Sequence, residues 1–262
     1  LMRADALYPV FQPIVDLKSA GVYAHEALIR GPQGSALQSA DALLSAAQAE
    51  GLLYELELYC IYVALRQWGL QRQPGRLFLN ISAHALERLV AVGGMQTLAR
   101  AMRGLAVSPR MIVLEITEHE RVHDMDGLVD VARALHAVGL SLALDDFGDG
   151  RSSLRLWSQV RPDIVKIDKY FSRDISSSAD KLKTLQALLQ IADVFGTALV
   201  AEGIENEADL RVIRDLGIAY GQGYFMGRPD TDAQPDILAA AYGVLHDTRV
   251  AVMPEQRYVV RM

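Results

Sequence analysis

The chain has 262 residues, 51% of them hydrophobic, and a formal net charge of −6. It holds no apolar run of about eighteen residues, so a globular domain with a large core is expected and no membrane contact from this segment. The acidic balance and the lack of any lysine- or arginine-rich block argue against binding duplex nucleic acid through a basic face.

The elements are read in chain order from hydrophobic periodicity. Residues 9–17 and 22–30 form the first two strands, separated only by Lys18-Ser19-Ala20-Gly21. That gap is too short for a parallel crossover and suits a hairpin, so the first strand is expected to be antiparallel. Helical patterns at 40–50 and 53–68 lead to a third strand at 77–82, and one at 95–103 to a fourth at 111–117. A helix at 128–138 precedes the fifth strand, 140–146, and the sixth lies at 164–168. Helices at 182–195 and 208–216 precede the last two strands, 198–202 and 220–224. Gly139, Gly196 and Gly217 follow helical runs as C-terminal caps should, and Ser176-Ser177-Ser178 reads as a solvated loop. This alternation predicts an α/β protein, a TIM-like (β/α)8 barrel with an antiparallel first strand. One domain is expected over residues 1–246, with 247–262 a C-terminal tail or linker. The single cysteine, Cys60, lies in an apolar segment, excludes an intrachain disulfide and fits a buried thiol in a reducing cytoplasm. Residue 1 is leucine and no leader pattern opens the chain, so it reads as a piece of a longer protein, whose full length has room for a membrane anchor.

Buried barrel strands should be apolar throughout, because an ionisable side chain there costs several kcal/mol unless it is paired or binds metal. Six strands break this rule, with Glu26, Asn80, Glu115, the pair Asp145-Asp146, Lys166 and Glu202 each following an apolar run. All fall late in their strands, toward the C-terminal face where such barrels build active sites. Five carboxylates converging on one rim repel one another by several kcal/mol unless cations intervene. An all-oxygen ligand set selects hard ions, Mg²⁺ or Mn²⁺ over zinc. The adjacent Asp145-Asp146 suits two ions, one carboxylate bridging and its neighbour holding the second, as in phosphoryl hydrolysis.

Over residues 7–229 the sequence resembles the EAL domain phosphodiesterases. The matching segments are Phe11-Gln12-Pro13-Ile14, Glu26-Ala27-Leu28-Ile29-Arg30, Asn80-Ile81-Ser82, Glu115-Ile116-Thr117-Glu118 and Asp145-Asp146-Phe147-Gly148. They continue with Val165-Lys166-Ile167-Asp168, Ala201-Glu202-Gly203-Ile204-Glu205 and Gly221-Gln222-Gly223-Tyr224, all in the family's order. The resemblance implies hydrolysis of cyclic di-GMP to linear pGpG. It implies Glu26, Asn80, Glu115 and Asp145 on a first ion, Asp145 and Asp146 on a second, and Glu202 as ligand or general base. By the same resemblance Lys166 orients the attacking water, Gln222 steadies the water network, and Arg30, Gln12 and Asp168 contact substrate. Glu118, Phe147, Gly148 and Glu205 support the loops, Glu118 the one after the fifth strand. A surface salt bridge is an equal reading of Glu118 and Glu205, and His25 and His119 are better read as packing or solvent-facing. A homodimer and fused sensory or GGDEF-type domains are expected partners. One departure stands out: where the family continues with Thr or Ala and then an aromatic, this chain has Asp149 and Arg151.

Two alternatives compete with an enzyme of this class. A catalytically silent cyclic di-GMP receptor would keep the pocket and lose metal-binding carboxylates, and none is lost here. An unrelated metal-dependent barrel enzyme would also carry acids at strand ends, but would not call for Asp145-Asp146 with Lys166 on the next strand.

Overall fold

The computed structural model describes residues 7–71, 75–117, 125–148 and 154–251. Eight strands close into a barrel in sequence order: β1 (Tyr8–Asp16), β2 (Val22–Arg30), β3 (Arg76–Asn80), β4 (Ile112–Thr117), β5 (Ser141–Phe147), β6 (Ile164–Ile167), β7 (Ala198–Ala201) and β8 (Tyr220–Gln222). As expected, β1 is antiparallel to its neighbours β2 and β8, and the remaining pairs are parallel. The hairpin forms because the Asp16 carboxylate accepts from the amides of Lys18 and Ser19, each at 2.9 Å, while Ala20 takes a φ of 58°.

The helices coat the outside: α1 (Ala40–Ala49), α2 (Leu53–Gly69), α3 (Ala83–Ala91), α4 (Gly94–Gly104), α5 (Met125–Val138), α6 (Leu154–Val160), α7 (Lys169–Ser172), α8 (Ala179–Phe195), α9 (Glu207–Asp215) and α10 (Ala239–His246). Four of these, α3, α6, α7 and α10, go beyond the sequence reading. α3 and α6 are short, α7 is a single turn, and the small residues Ala239, Ala240, Ala241 and Gly243 give α10 little periodic contrast. Several strands also end earlier than read, because the next residue already serves a helix. Ser82 caps α3, Asp168 caps α7, and Ile175–Ser177 is a 3₁₀ turn leading to Ser178, the cap of α8. Gly139, Gly196 and Gly217 all take positive φ after their helices.

Two stacked layers fill the barrel. The lower is apolar: Ile14, Ala24, Phe78, Val113, Ala143, Ile164 and Val200. Side chains two residues apart share a strand face, so the next inward position toward the mouth is Glu26, Asn80, Glu115, Asp145, Lys166, Glu202 and Gln222. On reversed β1 the corresponding residue is Gln12, paired with Glu26. The barrel floor is closed by Tyr23 stacked on Tyr220 at 3.9 Å, with Arg76 donating to the Tyr23 hydroxyl at 2.8 Å and to Ser141 Oγ at 2.6 Å. Past α10, Arg214 donates to the carbonyls of Val244 and Asp247 at 2.6 and 2.7 Å, and Ala251 N donates to Asp215, so residues 247–251 lie against α9. Residues 257–260 of the expected tail lie outside the described residues.

Candidate active site

Lys166, on β6, is the centre of the polar layer. Its ammonium, 1% exposed, lies 2.8 Å from Glu202 Oε1, 3.1 Å from Glu26 Oε2 and Asp145 Oδ1, and 3.2 Å from Glu115 Oε2. Glu26 is the best served of the acids. Gln222 Nε2 donates to its Oε2 at 2.7 Å, Asn80 Nδ2 to its Oε1 at 3.1 Å, and Lys166 to its Oε2. Burial works against its ionisation, yet the Lys166 charge and these hydrogen bonds prevail and hold its pKa at about 2. Glu115 is the reverse case. Burial raises its pKa well above the usual range, and Glu26, Asp145 and Glu202 add repulsion that Lys166 does not cancel. Burial, with repulsion from Asp145 and Glu26, likewise pushes Glu202 up to about 8 against the pull of Lys166. For Lys166 itself, desolvation is outweighed by the surrounding carboxylates, so its pKa lies well above normal.

Strict strand alternation would turn Asp145 and Asp146 to opposite faces. A register irregularity between Leu144 and Phe147, with Asp146 at a φ of 54°, brings both to the mouth. Asp145, Asp146 and Glu202 each present an oxygen within 4.8 Å of the others. Both Glu115 oxygens and Asp145 Oδ1 are buried without a hydrogen-bond donor; Glu115 Oε2 and Asp145 Oδ1 meet Lys166 as ion pairs only. Converging, donor-poor carboxylate oxygens of this kind fit hard divalent cations. A cavity of about 470 Å³ opens beside them, reached by Glu26, Asn80, Asp145 and Asp146 and walled on the helix side by Leu44 and Cys60.

The other sequence candidates lie further out. Gln12 is buried next to the ring and donates to the Gly227 carbonyl at 3.4 Å. Arg30, at the end of β2, donates to the Ile29 carbonyl at 2.9 Å and lines a neighbouring depression with Ser39 and Asp41. The Asp168 carboxylate accepts from Tyr170 N at 2.8 Å as the cap of α7. Phe147 is buried edge-on against Trp157, and Glu205 accepts from Arg173 at 2.6 Å on the surface. Glu118, His119, Asp149 and Arg151 lie outside the described residues. His25 is fully buried, with Nε2 2.9 Å from the Gln234 carbonyl and its ring tilted against Trp68, in a packing role.

Sequence reading missed Glu57 of α2. Its two oxygens accept from Ser82 N at 3.1 Å and Ser82 Oγ at 2.8 Å, fixing the turn after Asn80. A signal existed: Glu57 falls four residues before Ile61 and seven before Ala64, on the buried stripe of its helix.

Comparison with known proteins places this geometry. A family model described as "EAL domain" matches residues 1–229. "Cyclic di-GMP phosphodiesterase NbdA" of Pseudomonas aeruginosa is 29% identical over 233 residues, covering 87% of this chain and 29% of that protein. Among solved structures, a standalone EAL protein from Vibrio cholerae O395 in its c-di-GMP-bound form has a TM-score of 0.82 at 25% identity, covering 92% of this chain and 99% of that one. BlrP1 of Klebsiella pneumoniae, in a calcium/cy-diGMP complex, has a TM-score of 0.79 at 28% identity, covering 89% of this chain and 58% of that one. The chain spans about a third of the length of the curated relatives it matches.

Proposed function

The chain belongs to the EAL domain family, and from that premise we propose that it hydrolyses one phosphodiester of cyclic di-GMP to linear pGpG, using two Mg²⁺ or Mn²⁺ ions. One observation carries the reading: Asp145, Asp146 and Glu202 converge within 4.8 Å beside the buried Lys166, with donor-poor Glu115 next to them. Retaining five buried or half-buried acids around one lysine is costly without a cation to hold. Relatives solved with manganese and cyclic di-GMP support the choice of ion and ligand.

In this reading Glu26, Asn80, Glu115 and Asp145 hold one ion, and Asp145 and Asp146 the other, with Glu202 as a further ligand or as general base. When bound, the ions supply Lewis acidity and make water a nucleophile near neutral pH. The chain's own groups do the rest. Lys166 holds the attacking water in line and balances charge building on the phosphoryl oxygens. Gln222 is anchored to Glu26 through Nε2, leaving a buried Oε1 without a donor, ready to accept from water. Glu202, 2.8 Å from Lys166 and within 4.8 Å of Asp145 and Asp146, is placed either to hold an ion or to take a proton from the attacking water. Arg30 pairs with a substrate phosphate and Gln12 contacts the ligand from β1. Asp168 acts at the substrate end of β6 through the turn it caps, and Phe147, Gly148, Glu118 and Glu205 support the loops. The barrel, residues 1–246, is the catalytic unit of a longer cytoplasmic protein, with 247–262 a C-terminal tail or linker whose first residues, 247–251, rest on α9. Homodimerisation and fused sensory or GGDEF-type domains complete the proposal; one relative is a "Bifunctional diguanylate cyclase/cyclic di-GMP phosphodiesterase". Among the described residues, no helix is long and apolar enough to cross a membrane.

The test is chromatography after incubation with cyclic di-GMP and Mn²⁺ or Mg²⁺. Linear pGpG should form, and should be lost with chelator and in Glu26→Ala. Tight binding without product would overturn the reading in favour of a silent receptor.

A further inference from the structure

The one-turn helix α7 follows directly from the strand that bears Lys166, and it touches both neighbouring rims. On one side, a Cβ added to Gly148, two residues after Asp146, would lie 2.3 Å from Phe171 Cε2. On the other, a Cβ added to Gly203, next to Glu202, would lie 2.3 Å from the Cβ of Lys169. Both glycines have positive φ, 106° and 68°, so each rim gives up its side chain where α7 presses against it.

The base of the turn is bonded to the same two rims. Asp168 N donates to the Phe147 carbonyl at 3.1 Å, and Glu202 N donates to the Ile167 carbonyl at 3.1 Å. Its far end is held as well. Arg173 Nη2 donates to Glu205 at 2.6 Å, Lys181 Nζ to the Arg173 carbonyl at 2.6 Å, and the amides of Asp174 and Ser176 to the buried Asp209 at 2.9 and 3.0 Å. A segment fixed at both ends and in van der Waals contact with two backbones resists their approach and their separation alike.

We propose that α7 is a spacer. Phe171, seated on Gly148, and the stem of Lys169, seated on Gly203, set the gap between the ends of β5 and β7, and with it the spacing of Asp145 and Asp146 from Glu202. Phe171 is then a positioning residue for cation binding, acting through the backbone at Gly148 and not as a ligand. The inference rests on the metal-dependent reading above.

Mn²⁺ titration of the metal-free protein, with free Mn²⁺ read by electron paramagnetic resonance, tests it without reference to turnover. Phe171→Ala should weaken Mn²⁺ binding by about tenfold or more, the scale of losses when groups supporting metal ligands are removed. Phe171→Leu, which keeps most of the bulk, should restore most of it. Leu135→Ala, a fully buried cut in α5, should lower the melting temperature and leave Mn²⁺ affinity within about twofold, since losses at a distant, independent site do not couple. Should Phe171→Ala fail to fold, Phe171→Val carries the same expectation of weakened binding. Unchanged affinity in the Phe171 variants, or an equal loss in Leu135→Ala, would overturn the spacer while leaving the metal reading intact. Wild-type protein that binds no Mn²⁺ would overturn both.

Discussion

Replacing Lys166 with methionine removes the only ammonium in the polar layer and keeps an unbranched chain of similar length. Four carboxylate oxygens lie 2.8 to 3.2 Å from that ammonium, and each contact carries about 5 kcal/mol of gross attraction at an effective dielectric near 20. Most of this offsets the burial of the lysine, so the contacts do not add up to stability. What a variant reports is the cost of leaving buried acids without their partner, about 3–5 kcal/mol. For a domain of this size that is a fall in melting temperature of roughly 10 °C. The assay is thermal unfolding in chelator at pH 8, repeated at pH 5 and with saturating Mn²⁺. The loss should be largest at pH 8, should shrink at pH 5 as Glu202 takes up a proton, and should be partly recovered by Mn²⁺. A variant that melts with or above wild type at pH 8 without metal would refute the reasoning, because the acids would then need no counter-charge.

Further outcomes follow from the same geometry. Glu202, raised from its ordinary 4.5 to about 8, and Glu115, also raised, bind protons more tightly in the folded than in the unfolded chain. The Glu202 contribution is full below about pH 4.5 and is lost as pH rises toward 8, and that of Glu115 declines in the same direction, so metal-free melting temperatures should fall across that window. Glu26, held at about 2, works the other way, contributing above about 4.5 and losing its contribution as pH falls toward 2; a metal-free profile that rises from pH 5 to 8 would contradict this. In Gly223→Ala the new Cβ would lie 2.1 Å from the Ile204 carbonyl oxygen, against backbone that cannot give way. Urea unfolding should show a loss of about 3 kcal/mol or more, whereas Gly34→Ala, at positive φ but in open space, should cost only about 1 kcal/mol. Burial, helped by Glu57, pushes the Cys60 thiol up to about 12; at pH 8 it should react with an aromatic disulfide reagent far more slowly in the folded protein than in urea.

Much of the barrel was legible because burial makes its own exceptions conspicuous. Glu26, Glu115, Lys166 and Glu202 stand in apolar runs where only a special environment tolerates them, and the short Lys18–Gly21 gap dictates the reversed first strand. Their late place in each strand pointed to one rim of the barrel. Strand alternation by itself would turn Asp146 away from Asp145, and its place at the mouth depends on a local irregularity and a left-handed backbone that alternation does not encode. Gln12 and Gln222 came from family resemblance and not, as Asn80 did, from the pattern of their strands. Partners that meet only on closure of the fold left no pattern, even where the residue itself did, as Glu57 did on the buried stripe of α2. The Glu57–Ser82 clamp joins residues 25 apart, and the seat of Phe171 on Gly148 depends on α7 meeting the end of β5.

The central claim is that the acids around Lys166 form a two-cation site. Crystals grown with Mn²⁺ and cyclic di-GMP, with diffraction collected at the manganese edge, test it directly. The account predicts two anomalous peaks bounded by Glu26, Asn80, Glu115, Asp145, Asp146 and Glu202, next to a phosphate of the ligand. Bound ligand with no peak among these residues, or with manganese elsewhere on the barrel, would contradict it.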